Sequence, residues 1–224
     1  MKAMILAAGR GERMKPLTDR CPKPLLKVAG RSLIEHHLHR LKAAGITDIV
    51  INHAWLGEQI EQFFADGKRF GVNIQYSAEN DGALETAGGI VKALPLLGDE
   101  PFLVVNGDIY CQYPFTRLPV LQQGELAHLL LVENPQHNPN GDFALVDNRL
   151  RSAKALNNKY TYSGIGVYSP KLFSGLSVEK APLAPILVNA MTDNKISGSL
   201  YHGLWSDIGT PQRLAQINAL IVGK

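Results

Sequence analysis

Through its first 106 residues the chain alternates short apolar runs with stretches of helical periodicity, a rhythm that few folds can accept. Residues 4–8, 49–51, 74–76 and 102–105 read as buried strands. Between them, Ser32 and Glu35 have the spacing of a capping box, and Ile34, Leu38, Leu41 and Ala44 recur at helical spacing until Gly45. Ile60, Phe63 and Phe64 mark a second helix that stops at Gly67, and a third is predicted from Thr86. Strand and helix in strict series imply parallel strands joined by right-handed crossovers. The expected fold is therefore an α/β, Rossmann-like, doubly wound and mostly parallel sheet with helices on both faces.

Beyond Asp108 the rhythm changes. Residues 128–132, 143–146 and 165–168 are predicted strands separated by loops rich in Asn, Pro and Gly, so the second half is more β-rich. Residues 182–194 are predicted helical despite Pro185, and Thr210 with Pro211 opens a last helix through Ile221. At 224 residues, 45% of them hydrophobic, one domain over residues 1–224 is expected, built from halves 1–112 and 113–224. The chain stops soon after the last predicted helix, and no appended domain is expected. A net charge of +3 with dispersed Lys and Arg argues against a nucleic-acid partner. Cys21 and Cys111 fit free thiols rather than a disulfide framework. The sequence shows neither a secretory leader nor an apolar run of membrane-spanning length, so no membrane association and a cytoplasmic location are expected.

The chemistry concentrates where strands end. Gly9 and Gly11 follow the first strand, where the chain can turn with no Cβ between its backbone N–H groups and an anion, and Arg13 and Lys23 add formal charge. Alone, this is an ordinary strand-to-helix turn. Asn106-Gly107-Asp108 follows the strand at 102–105, and Trp205-Ser206-Asp207-Ile208-Gly209-Thr210 lies near the C-terminus. Ligands of open α/β sheets bind beyond the carboxyl ends of the strands, so all three features can share one cleft. Asp108 and Asp207 are then candidate ligands of Mg²⁺, which takes one or two carboxylates and completes its shell with phosphate and water. Either aspartate by itself reads more readily as a turn cap. The spacing Gly9-x-Gly11 lacks the third glycine of a dinucleotide fingerprint, which disfavours an oxidoreductase.

The run Leu6-Ala7-Ala8-Gly9-x-Gly11-x-Arg13-Met14-x-Pro16-Leu17-Thr18, with Pro22-Lys23-Pro24-Leu25 and Gly30, resembles the signature of the sugar-1-phosphate nucleotidyltransferases. The resemblance spans the whole chain. Residues 51–57, Leu84-Glu85-Thr86, residues 140–143 and residues 163–165 resemble the branch that joins UTP to N-acetylmuramate 1-phosphate in peptidoglycan recycling. The resemblance implies a Mg²⁺-dependent reaction of a nucleoside triphosphate with a sugar 1-phosphate, giving an NDP-sugar and pyrophosphate. Residues 1–112 would then mainly bind the nucleotide, and 113–224 the sugar while supplying the second metal ligand. The attacking phosphate oxygen is already anionic, so the site needs charge neutralisation and alignment rather than a general base.

By the same resemblance Lys23 serves the α-phosphate and Arg13 the β- and γ-phosphates. Backbone N–H groups of Gly11, Glu12 and Arg13 meet the triphosphate, and Ala8 and Gly9 lie under ribose and base. Glu79 and the segment 84–88, ending at Gly88, read the base, while Asn106 and Asp142 bind the sugar. Asp142 also reads as a plain turn residue. Two departures stand out: many relatives carry glycine at the position of Glu85, and a Glu-Lys-Pro segment is replaced by Ser152-Ala153-Lys154-Ala155, so Lys154 receives no role. His36, His37 and His39 lack an i, i+4 pair, and His53, His128, His137 and His202 are isolated, which favours ordinary surface or core roles. Trp55 and Trp205 read as packing residues. The alternatives are a thymidylyl- or guanylyltransferase acting on glucose or mannose 1-phosphate, and a non-catalytic nucleotide-sugar sensor. A sensor has no need of all four charged groups. A monomer or weak homo-oligomer is expected.

Overall fold

The structure, a computed structural model, describes residues 1–79, 82–152 and 159–223. In strand β1 (Ala3–Ala7), Ala3, Ile5 and Ala7 enter one apolar layer and Met4 enters the other, so the strand is buried on both faces as its unbroken apolar run requires. A small hairpin, β2 (Lys27–Val28) and β3 (Arg31–Ser32), leads into α1 (Leu33–Ala43). β4 (Asp48–His53), α2 (Gly57–Phe64), β5 (Asn73–Ala78), α3 (Glu85–Leu97) and β6 (Phe102–Asn106) follow. The four long strands lie in the order β5-β4-β1-β6, all parallel. The chain lays β4 and β5 on one side of β1 and then returns to place β6 on the other. That reversal opens a crevice beyond the carboxyl ends of β1 and β6.

The second half comprises β7 (Ile109–Cys111), β8 (Ala127–Val132), β9 (Phe143–Val146), β10 (Arg149–Arg151), β11 (Lys159–Tyr168), α4 (Leu183–Thr192), β12 (Ile196–Tyr201), β13 (Trp205–Asp207) and α5 (Pro211–Val222). β11 extends the parallel block in antiparallel sense beside β6, and β8, β12, β10 and β9 complete a nine-stranded sheet. β9 also pairs with the start of β11, so this half curls back on itself. The mostly parallel arrangement thus belongs to the first half. In the second, β9 and β10 are joined by a tight turn, which requires antiparallel pairing, and the sheet becomes mixed.

Helices end where local chemistry dictates. The capping box of α1 is present: Glu35 N donates to Ser32 Oγ at 3.2 Å, and Ser32 N donates to Glu35 Oε2 at 2.7 Å. Pro185 is tolerated because it lies in the first turn of α4, where backbone N–H groups have no partner within the helix. Thr210 caps α5 through its hydroxyl, which accepts from Arg213 N at 3.3 Å. Leu38 and Phe64 cover one face of the sheet, Ile90 and Leu187 the other. A third cluster joins Met14, Val28 and Leu33 to Ile208 and Ile217, which fastens the C-terminal segment onto the N-terminal loops. Among the described residues no helix is long and apolar enough to cross a membrane.

Candidate active site

The crevice at the β1/β6 reversal is a cavity of about 430 Å³, lined by Ala8, Gly9, Gly11, Lys23, Asn106 and Asp108 among others. Gly11 turns the chain with φ at +69°, and a Cβ there would lie 3.0 Å from Thr18 Cγ2 and 3.2 Å from Lys23 Cβ. The turn is tied by Thr18 Oγ1, which donates to Gly11 O at 2.8 Å. Lys23 follows Pro22, is buried to 8% exposure, and pairs its ammonium with Asp108 Oδ2. A cation whose stem is enclosed and whose head reaches the cleft is aimed rather than free. Arg13 is exposed, lines this cavity, and makes no ion pair with a carboxylate among the described residues. Glu12 also lines the cleft, with its side chain turned out to solvent beside Lys15.

Asp108 and Asp207 lie on neighbouring segments. β13 pairs with β7 so that Asp207 faces Ile109, and Ile208 N donates to Asp108 O at 2.8 Å. Asp207 Oδ2 pairs with Arg213, while Oδ1 is buried 3.0 Å from His137 Nε2 without accepting a well-oriented hydrogen bond. Asp207 and Arg213 face a second cavity of about 680 Å³, which shares Arg13 with the first. Among the described residues no group of three His, Cys, Asp or Glu side chains gathers as a metal cluster. Two hard carboxylates, one with an orphaned oxygen, fit a divalent ion that draws its remaining ligands from phosphate and water.

Other expected residues divide. Asn106 lines the cleft at the end of β6, pressed by Gly164 at a bulge in β11. Glu79 is buried and braces the loop rather than lining the cavity: it accepts from Asn52 Nδ2 and from Leu84 N, both at 2.7 Å. Gly88 is also absent from the cavity wall. It packs inside α3 where any Cβ would run into the Glu179 carbonyl, so its smallness serves packing. Asp142 accepts from Tyr162 N at 2.8 Å and Asn138 Nδ2 at 3.0 Å, clamping β11 to the turn before β9, and lines neither cavity. Glu85 lines the cleft with φ at +60°, a left-handed conformation costly for any residue with a Cβ. Lys154 lies outside the described residues.

Four side chains make contacts that sequence reasoning did not foresee. Asn52 accepts from Ala7 N at 2.9 Å and holds Glu79, joining β1 to the loop before α3; its only signal is a polar residue at the end of a buried run. Arg213 and His137 meet at Asp207, a contact beyond the ordinary surface or core role expected of His137. Trp55 supports the glycine turn, with the Arg10 guanidinium 3.7 Å above its ring and Nε1 donating to Thr18 O at 3.1 Å. Trp205 packs as expected, donating to Ser163 O at 2.8 Å. Behind β7, His37 is buried, with neither ring nitrogen in a well-formed hydrogen bond. Burial, helped by Arg40 and His36, pushes it down to about 3.

A glycine turn at a sheet's switch point, an enclosed lysine and an exposed arginine lining it, and carboxylates on adjacent segments suit an enzyme of phosphate-rich substrates, a nucleotide-transferring one by its resemblance. Residues 2–223 match the Nucleotidyl transferase family, and the chain belongs to it. The chain is 56% identical over 98% of its length, and 98% of the relative's, to an N-acetylmuramate alpha-1-phosphate uridylyltransferase of Neisseria meningitidis serogroup B. A protein of that name from Caulobacter vibrioides is 31% identical, with 94% and 92% covered. A mannose-1-phosphate guanyltransferase of Gibberella zeae is also 31% identical, over 95% of this chain but 62% of its own. Among solved structures, one from Bacillus anthracis described as a glucose-1-phosphate thymidylyltransferase with sucrose superposes with a TM-score of 0.85 at 25% identity, covering 98% of this chain and 94% of that one.

Proposed function

We propose that this chain transfers the uridylyl group of UTP to N-acetylmuramate 1-phosphate, releasing pyrophosphate and UDP-N-acetylmuramate, with Mg²⁺ as its metal. The reaction class is supported by Lys23, Arg13 and Asp108 lining the cleft where the sheet reverses, with the β7–β13 pairing bringing the backbone of Asp207 next to that of Asp108. The choice of substrates is supported by the 56% identity to a uridylyltransferase matched end to end. In this reading the first half holds the nucleotide, the second holds the sugar, and a place in cell-wall recycling follows.

The residues divide the work by charge. Lys23 is aimed at the α-phosphate and gains interaction as negative charge shifts toward the leaving pyrophosphate, which Arg13 grips. Backbone N–H groups of the Gly11 turn hold the triphosphate, and Asn106 hydrogen-bonds the sugar. Mg²⁺ held by Asp108 and Asp207 would supply further neutralisation of the phosphates. Pyrophosphate release across UTP, TTP and GTP, each with N-acetylmuramate, glucose and mannose 1-phosphates, tests the proposal. Turnover is expected with UTP and N-acetylmuramate 1-phosphate; turnover confined to GTP with mannose 1-phosphate would replace the substrates and keep the class.

A further inference from the structure

The larger cavity, about 680 Å³, is lined by Asp207 and Arg213 and not by the glycine turn, and its size suits a sugar-sized ligand. Its distinctive occupant is Arg213. That side chain is mostly enclosed, at 15% exposure, so its guanidinium is held rather than waving in solvent. Among the described residues its side-chain hydrogen bonds run through Nη1, to Asp207 Oδ2 and to His137 Nε2 at 2.8 Å. Among the described residues Nε and Nη2 find no protein acceptor. Gly209 allows this placement: any Cβ there would collide with Nη2, and Gly209 itself lines the nucleotide cleft. The unpaired edge of the guanidinium therefore stands at the partition between the two cavities, where Arg13 is also shared.

A fixed, planar pair of N–H donors is matched by a carboxylate, which accepts two parallel hydrogen bonds, whereas a hydroxyl-lined neutral sugar offers it no charge. We infer that Arg213, steadied by His137, is the specificity-determining residue that recognises a carboxylate carried by the sugar 1-phosphate. The inference rests on the proposed function, because N-acetylmuramate differs from N-acetylglucosamine by a lactyl ether that ends in such a carboxylate. The shared chemistry is an anion; a phosphate of either substrate is the competing source, and the two sources give different results.

The test compares wild type and Arg213→Gln with N-acetylmuramate 1-phosphate and N-acetylglucosamine 1-phosphate at saturating UTP. Calorimetric binding of each sugar phosphate without UTP gives a second readout. Arg213→Gln is expected to raise KM and weaken binding for N-acetylmuramate 1-phosphate roughly 100-fold, and for N-acetylglucosamine 1-phosphate at least about tenfold less, because any disturbance of Asp207 is common to both sugars. Equal losses on both sugars, the result of a phosphate contact or of a disturbed Asp207, would overturn the inference, as would no loss on either. If Arg213→Gln does not fold, Arg213→Lys keeps the charge beside Asp207 but not the fork, and wild-type discrimination in that variant overturns it equally. Wild-type enzyme inactive on N-acetylmuramate 1-phosphate defeats the substrate proposal instead, before any variant is compared.

Discussion

Lys23 and Asp108 neutralise each other in a cleft that must also admit a triphosphate, so the pair is a poised arrangement rather than a source of stability. Removing the cation leaves the carboxylate uncompensated and, in the proposed reaction, takes from the α-phosphate the charge assigned to it. Lys23→Met is expected to lower kcat about 10²- to 10³-fold while the thermal transition stays cooperative; steady-state kinetics at saturating substrates check this. Asn52 works through structure instead. Its replacement by Ala strips partners from Ala7 N and the Glu79 carboxylate, both buried, and should cost about 2 kcal/mol in urea unfolding. Lys23 was legible because it stands between two prolines in a local motif, and Asp108 because its motif follows a strand end. Asn52 and Arg213 were not, because their partners lie far along the chain or are assembled by packing, and no local pattern announces a contact that tertiary structure creates.

At the scale of elements, helix starts were legible because caps are local: the Ser32 and Glu35 box and the Thr210-Pro211 start both form as expected. Ser32→Ala should cost about 1 kcal/mol and lower the melting temperature by a few degrees. The β7–β13 ladder, which brings the two aspartates together, escaped notice because three-residue strands are too short to show alternation. Helix α1 packs behind that ladder and carries His37, whose proton is pushed off down to about 3 against an ordinary 6.5. Between those values the unfolded chain binds one more proton than the folded chain, so stability falls as the pH falls from 6.5 toward 3, by up to about 1.4 kcal/mol per unit. Above 6.5 this group contributes no pH dependence. His37→Leu is expected to flatten that window in urea melts taken from pH 6.5 to 4; an unaltered slope would assign the acid sensitivity elsewhere.

Over the whole molecule, the parallel block was legible as four buried runs alternating with helices, and the mixed second half only as a change of rhythm. Its curl follows from β9 pairing both with β10 across a tight turn and with the start of β11, and the second of these closures joins residues further apart in sequence. The C-terminal segment then crosses back, with Ile208 and Ile217 packed against Met14 and Val28, and Asn218 hydrogen-bonded to Lys27 O at 3.1 Å and to Ala29 N at 2.9 Å. That return sets Asp207 beside Asp108, and the proposed chemistry depends on their acting on one ion. The most direct test is the rate of pyrophosphate release against Mg²⁺ concentration for wild type, Asp108→Asn, Asp207→Asn and the double variant. Each single substitution is expected to lower the rate about 10³-fold, with the double variant little worse than either, as groups that act as a unit behave. Losses that multiply in the double variant, or an Asp207→Asn enzyme as fast as wild type, would contradict a shared metal site.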